Sequence, residues 1–237
     1  MTGDSGPEPW RRLRESDGPA LRDFLLRKED HAAGFTGRIL RAGGLRMPGL
    51  LEGGVFGTYG PRGLRGAVLA TRSGTLFPVF DEVPGPGEGR ILGRCLKGGS
   101  VASILGAAAD VEALEGILGL EPRVKTPYRS LFLDPGGPAS PGRSPEPSAS
   151  ARTAGPGDAA ALYPLHAAYE REEVVTPIHR FDARASRAAL DGILASEIVA
   201  VAERAGRPVA TARTNARGFR TWQLGGVFVL PELRGRG

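Results

Sequence analysis

Apolar residues in this chain fall at helical spacing in some stretches and alternate at strand spacing in others. Leu21, Phe24 and Leu25 share one helical face, and Asp17-Gly-Pro-Ala-Leu21 leads into it. Leu162, Leu165 and Tyr169 form a second such face behind Asp158-Ala-Ala-Ala-Leu162. The shared Asp-x-x-Ala-Leu thus occurs twice, each time after a short basic stretch (10–14 and 152–154), which predicts an internal duplication. Each aspartate is a predicted N-cap, its carboxylate accepting from the free N–H groups of the first turn. Pro164 breaks the second pattern, either kinking that helix or marking its first turn.

Beyond the first helix the pattern is strand-like over 54–59, 64–71 and 75–80. Gly60-Pro61 reads as a turn, and Arg72-Ser73-Gly74 as a hairpin turn whose glycine supplies a positive φ. Residues 84–89 are expected to be loop, 101–105 a short apolar strand, and 124–133 a closing strand. Between the last two, Val111, Leu114 and Leu118 mark a helix starting at Asp110. Toward the C-terminus, Leu190, Ile193 and Leu194 predict a helix over 183–195. Strands follow over 198–202 and 209–214 around a turn at 204–207, and a last strand over 222–229.

Composition divides the chain. Residues 134–158 are dense in proline and glycine and hold no aliphatic side chain larger than alanine, too little apolar area to offset the entropy of ordering. The expected domains are therefore 1–134 and 151–237, joined by a Pro/Gly/Ser-rich linker over 135–150.

The net charge of +5 and 20 prolines beside 36 glycines fit a loop-rich globular protein. Almost all the basic residues are arginine and they are scattered, with no basic run, which argues against nucleic acid as a partner. The single cysteine, Cys95, excludes an internal disulfide and a thiolate-built metal site. His31, His166 and His179 lack metal-ligand spacing, so no metal is expected. No apolar run is long enough for a membrane span, and the acidic N-terminus is unlike a signal peptide, so the expected location is cytoplasmic. His166 is expected to be structural, and Cys95 an inert thiol despite Arg94 and Lys97 beside it.

The most specific pattern is at the C-terminus: the apolar strand Val227-Phe228-Val229, then Leu-Pro-Glu-Leu, then Arg234-Gly235-Arg236-Gly237. A diphosphate requires backbone N–H groups converging on one point, with no side chains to block its approach; glycines supply this and arginines add charge. The segment resembles the acetyl-CoA motif of the GNAT N-acetyltransferase superfamily, [Gln/Arg]-x-x-Gly-x-[Gly/Ala] behind an apolar strand and Val-x-Pro-x-x. Arg234 matches the first motif position and Gly237 the first glycine; the final x-[Gly/Ala] is not in the sequence.

The resemblance implies an α/β protein of tandem acyl-CoA N-acyltransferase (GNAT-like) architecture, mixed sheets flanked by helices, with the second copy incomplete and the first degenerate at its cofactor site. It implies acetyl-CoA as substrate, bound through Val227, Phe228, Val229, Arg234, Gly235, Arg236 and Gly237, and acetyl transfer to an amine acceptor. The segment Tyr169-Glu-Arg-Glu-Glu-Val174 resembles the acceptor wall of such proteins, with Tyr169, Glu172 and Glu173 as candidates to hold a cationic amine or relay its proton. The alternative for these glutamates is a solvated helix end paired to Arg171 or Arg180. In the first part, residues 101–118 are expected to stand where an acyl-CoA motif would. No general acid or base is identified, and a chain ending within the loop is expected to be inactive. The rival reading is a non-catalytic ligand- or protein-binding remnant of the same fold.

Overall fold

The computed structural model describes residues 9–43, 53–96, 100–133, 149–176 and 178–235. It is mixed α/β, with two sheets flanked by helices. Two compact units emerge: residues 1–125 with 216–223, and residues 126–215 with 224–237. Most of the expected linker, 134–148, lies outside the described residues; its last two positions, Ala149 and Ser150, are already strand.

In the first unit the order is β1 (Arg11–Arg12), α1 (Gly18–Arg27), α2 (Glu29–Arg41), β2 (Gly54–Gly60), β3 (Gly63–Ala70), β4 (Thr75–Phe80), α3 (Pro86–Leu96), β5 (Ser103–Ile104) and α4 (Ala108–Leu118). The strands lie side by side in chain order, antiparallel except for β4 and β5, which are parallel. Strand alternation sends Ala67, Leu69, Phe77 and Val79 to one face, where α1 and α2 bring Leu21, Phe24, Leu25, Phe35 and Ile39. Val68, Leu76 and Phe80 point the other way, onto Leu92 of α3 and Leu114 of α4. At about 1.5–3 kcal/mol per buried large apolar side chain, these two layers dominate the stability of the unit.

Three elements differ from the sequence expectation. Helix α2 lies where the sequence reading placed no element; small residues such as Ala32, Ala33, Gly34 and Gly37 dilute its apolar stripe, yet Glu29 and Asp30 open it and Arg38 and Arg41 close it, as its dipole favours. Residues 86–89, expected to be loop, begin α3, with Pro86 in the first turn where its missing N–H costs nothing. Residues 124–133, expected to be a strand, are exposed and irregular; Pro127 has no ladder donor, and no strand pairs with the segment among the described residues. The expected hairpin turn holds: Gly74 takes φ +81° between β3 and β4.

In the second unit the order is β6 (Ala149–Ala154), α5 (Ala159–Tyr169), a π-type turn (Glu170–Val174), α6 (Ala183–Ser196), β7 (Val199–Arg204), β8 (Arg207–Arg217) and β9 (Trp222–Val229). The sheet runs β6-β7-β8-β9, so β9 is an edge strand among the described residues. Leu162, Leu190 and Leu194 from the helices cover Ala154, Val199 and Val201 of the sheet. Pro164 sits inside α5. Asp182 caps α6, accepting from the N–H of Arg184 (2.8 Å) and Ala185 (3.1 Å).

Strand, 3-10 turn, two helices and three strands thus follow one another in the same order twice along the chain. The side-chain contacts repeat as well. Arg11 donates to both oxygens of Asp17 (2.8 Å each), and Arg152 to both oxygens of Asp158 (2.7 and 3.0 Å). Each aspartate also accepts from a backbone N–H three residues upstream, Arg14 or Gly155. These aspartates stand at the N-cap positions of α1 and α5, but their carboxylates make no cap bond to the helix and turn back to the preceding strand instead. The expected N-cap role is corrected accordingly: a bidentate guanidinium holds the carboxylate more strongly than one orphan N–H would.

Candidate functional site

In the second unit, residues from three separate stretches of the chain meet around Phe228. Alternation within β9 buries Phe228 and leaves Val227 exposed. The Tyr169 ring, at the end of α5, packs edge-on against Phe228, 6.0 Å between centroids. The Arg234 guanidinium lies over the other ring of the pair, 5.0 Å from the Phe228 centroid. Arg213 of β8 approaches the Tyr169 ring at 5.4 Å. Gly226 takes φ +54°, where a side chain would run into Arg213.

Each nitrogen of the Arg234 guanidinium donates a hydrogen bond. Its two terminal nitrogens donate to the two oxygens of Glu172, at 2.7 and 2.9 Å, and its Nε donates to the Val229 carbonyl at 3.0 Å. Glu172 is held below the usual carboxylate range by this guanidinium. Glu172 reaches Arg234 from the π-type turn, where the wider winding after α5 places Glu170, Glu172 and Glu173. The strand-end loop and the acidic segment, predicted separately from sequence, are therefore side by side, and the expected partners of Glu172 among Arg171 and Arg180 are replaced by Arg234. Gly235 takes φ +71° directly after it. Arg236 and Gly237 lie outside the described residues.

Two further residues of this cluster escaped the sequence reading in this role. His166 is buried at 6% exposure, with Nε2 3.3 Å from the Glu170 carboxylate one helical turn on. Burial lowers its pKa from the ordinary histidine value, and Arg213 adds to that, against the opposing pull of Glu170. Its i, i+4 spacing to Glu170 was the available signal. Arg213 carried none, because it meets Tyr169 only through the fold.

In the first unit, β4 is followed by residues 81–85 and α3, the same succession as β9 and the Arg234 loop. The strand–loop–helix at 101–118 comes one element later than this succession in chain order. Where the second unit carries arginine, the loop after β4 carries Asp81 and Glu82, and the first turn of α3 carries Glu88. The Glu88 carboxylate accepts from the Gly85 N–H (3.1 Å) and pairs with Arg65. Cys95 is half-buried, its Sγ 3.5 Å from the Trp10 carbonyl, and burial pushes its thiol pKa up, not down as neighbouring cations would.

Among the described residues no cluster of three or more His, Cys, Asp or Glu could hold a metal ion, and no helix is long and apolar enough to cross a membrane.

No protein-family model matches the chain. No curated protein sequence matches it. Solved structures do. A Drosophila protein of structural-genomics origin aligns over 97% of this chain and 81% of its own, at 13% identity and a TM-score of 0.53, so the two share a fold. A predicted acetyltransferase with acetyl-CoA from Clostridium acetobutylicum aligns over 38% of this chain at 18% identity and a TM-score of 0.31. An acetyltransferase of the GNAT family from Streptococcus pneumoniae aligns over 38% at 17% identity and a TM-score of 0.28. The matches span 64% and 59% of the lengths of these two acetyltransferases.

Proposed function

We propose that this protein is an N-acyltransferase of the GNAT kind that binds acetyl-CoA on its second unit and passes the acetyl group to an amine. In this reading the chain holds two copies of one unit, and only the second keeps a cofactor loop. The observation that carries it is the junction at Phe228: an edge strand ends in an Arg-Gly loop, and an acidic segment stands beside that loop through Arg234 and Glu172.

The chemistry follows from the groups present. The outer edge of β9 at Val227–Val229, which no strand pairs among the described residues, offers main-chain groups to an amide-bearing pantetheine arm, as a neighbouring strand would. Arg234 and the Gly235 backbone face the diphosphate, with Arg236 and Gly237 continuing the loop. An N–H of the edge strand polarises the thioester carbonyl. Tyr169, Glu172 and Glu173 line the acceptor side, where carboxylates attract a cationic amine. The amine must lose a proton before attack, and His166 next to Glu170 offers a route for it through the Tyr169 side of the site. In the first unit Glu88 already occupies a loop N–H and Arg65, so that copy is read as structural.

The test is thiol release from acetyl-CoA with spermidine, an aminoglycoside, free lysine and a peptide N-terminus, run beside calorimetric binding. Amine-dependent release that falls at least tenfold in Arg234→Ala supports the enzyme. Binding without release under any amine makes the second unit a non-catalytic acyl-CoA-binding module. Absence of both removes the reading.

A further inference from the structure

Arg234 is the residue on which the acetyl-CoA reading depends most, and all three nitrogens of its guanidinium are engaged within the protein. Its terminal nitrogens grip Glu172 through two bonds, its Nε closes on the Val229 carbonyl, and its face rests on Phe228. A guanidinium offers two edges for bidentate contacts; Glu172 holds the Nη1/Nη2 edge and the Val229 carbonyl takes Nε of the other, so a bidentate phosphate has to displace one of them. The Val229 carbonyl that Arg234 covers belongs to the strand edge assigned to the pantetheine arm.

We propose that Arg234 and Glu172 form a latch that holds the acyl-CoA site closed to itself, and that a diphosphate opens the latch by taking Arg234 from Glu172. The proposal rests on the reading of residues 227–235 as the cofactor strand and loop. Opening uncovers the Val229 carbonyl and leaves Glu172 as an unpaired carboxylate beside the acyl donor, on the side assigned to a cationic acceptor. Donor binding and the charge presented to the acceptor are then linked through one side chain, and linkage makes the effect reciprocal: whatever neutralises Glu172 tightens the donor.

The size of the effect follows from exposure. Arg234 and Glu172 are 42% and 41% exposed, so water and salt screen the pair and its net strength is small. Removing the carboxylate relieves the donor of that competition by a factor of about two to five. Glu232 supplies the control. It lies in the 3-10 turn Pro231–Leu233 two residues before Arg234 and carries the same charge, but makes no hydrogen bond to Arg234 among the described residues.

Acetyl-CoA is titrated by calorimetry into the full chain, Glu172→Gln and Glu232→Gln at fixed low salt. The latch predicts two- to fivefold tighter binding in Glu172→Gln and less than half that gain in Glu232→Gln. Equal or weaker binding in Glu172→Gln, or the same gain in both variants, overturns the latch while leaving the cofactor site standing. A parent and variants that all fail to bind acetyl-CoA overturn the site and the latch with it. The carboxyl 13C titration of Glu172 gives an independent readout: its midpoint rises toward the ordinary glutamate range when acetyl-CoA saturates the protein, and an unmoved midpoint contradicts the release of Glu172.

Discussion

Substituting Asp17 by asparagine tests whether the Arg–Asp contact at the head of the first unit is a main support of that unit. Four hydrogen bonds converge on this carboxylate: two from Arg11 at 2.8 Å, one from the Arg14 N–H at 2.6 Å and one from the Tyr59 hydroxyl at 2.8 Å. The residue is 8% exposed. Hydrogen bonds to a charged group contribute about 1.5–3 kcal/mol each, but donors sharing one carboxylate do not add. Asparagine keeps one acceptor oxygen and turns an NH2 toward a donor. Removing one side of a buried pair costs about 3–5 kcal/mol, and Arg11, at 40% exposure, recovers part of its hydration, so the lower end applies. We expect Asp17→Asn to destabilise the first unit by about 3 kcal/mol. Trp10 is buried in the core of the first unit and Trp222 is exposed at the start of β9, so urea unfolding followed by tryptophan emission in a Trp222→Phe background reports the first unit. The pH dependence fixes the cause. Arg11 above all, with the Arg14 N–H and Tyr59, holds the Asp17 carboxyl well below the ordinary range against the opposing effect of burial. The stability it contributes is therefore complete above the unfolded value of about 3.9 and is lost as pH falls toward the folded value. The gap between parent and variant must narrow steadily as pH falls below about 4. A gap that stays constant over that range, or a variant as stable as its parent, would refute the reasoning.

Two further outcomes follow from the same unit. Burial, and then Asp17, pushes the Tyr59 phenol up to about 12, so its stabilising effect is complete below pH 10 and is lost as pH rises toward 12; ultraviolet titration should show one late phenol that Tyr59→Phe removes, and a titration unchanged by that variant counts against the contact. Gly74 has φ +81° and an added Cβ would stand 2.2 Å from the Ser100 carbonyl oxygen, so Gly74→Ala should cost roughly 2–3 kcal/mol. Gly116 in α4 meets nothing within 4 Å, and Gly116→Ala should stabilise by about 0.5–1 kcal/mol. Urea midpoints that place the two alanine variants together would show that the hairpin turn is not what constrains Gly74.

Legibility in the sequence followed the strength of the local signal. β9 runs over the residues that its apolar run and the following proline predicted, and α6 differs by one residue, because Asp182 and a regular leucine stripe mark it. α2 was missed because its buried face is built largely from alanine, glycine and threonine, which carry little periodic signal. α3 was missed because Pro86, Gly87 and Gly89 read as a loop, although proline and glycine are tolerated in a first turn packed by Leu92. Residues 124–133 carried a strand pattern, but a strand exists only with a partner, and pairing is not written locally. The repeated Arg–Asp pairs were visible only as the basic stretch before each Asp-x-x-Ala-Leu. At the candidate site, sequence offered the loop and the acidic segment separately. Their meeting through Arg234 and Glu172, and the approach of Arg213 to Tyr169, depend on the fold of the helices against the sheet. Glu29 shows the same limit in the first unit: without a signal in the sequence, it is buried and accepts from the backbone N–H groups of Phe219 and Arg220.

The central claim is that acetyl-CoA binds along the end of β9 and the loop that follows it. Backbone amide chemical shifts, recorded as acetyl-CoA is added to the full chain, test this residue by residue. The account predicts the largest shifts at Val227, Phe228, Val229, Arg234 and Gly235, smaller ones at Tyr169 and Glu172, and little change at Gly85 and Glu88 in the first unit. Shifts centred on residues 81–90 of the first unit, or none at Val227–Gly235 at saturating acetyl-CoA, would contradict it.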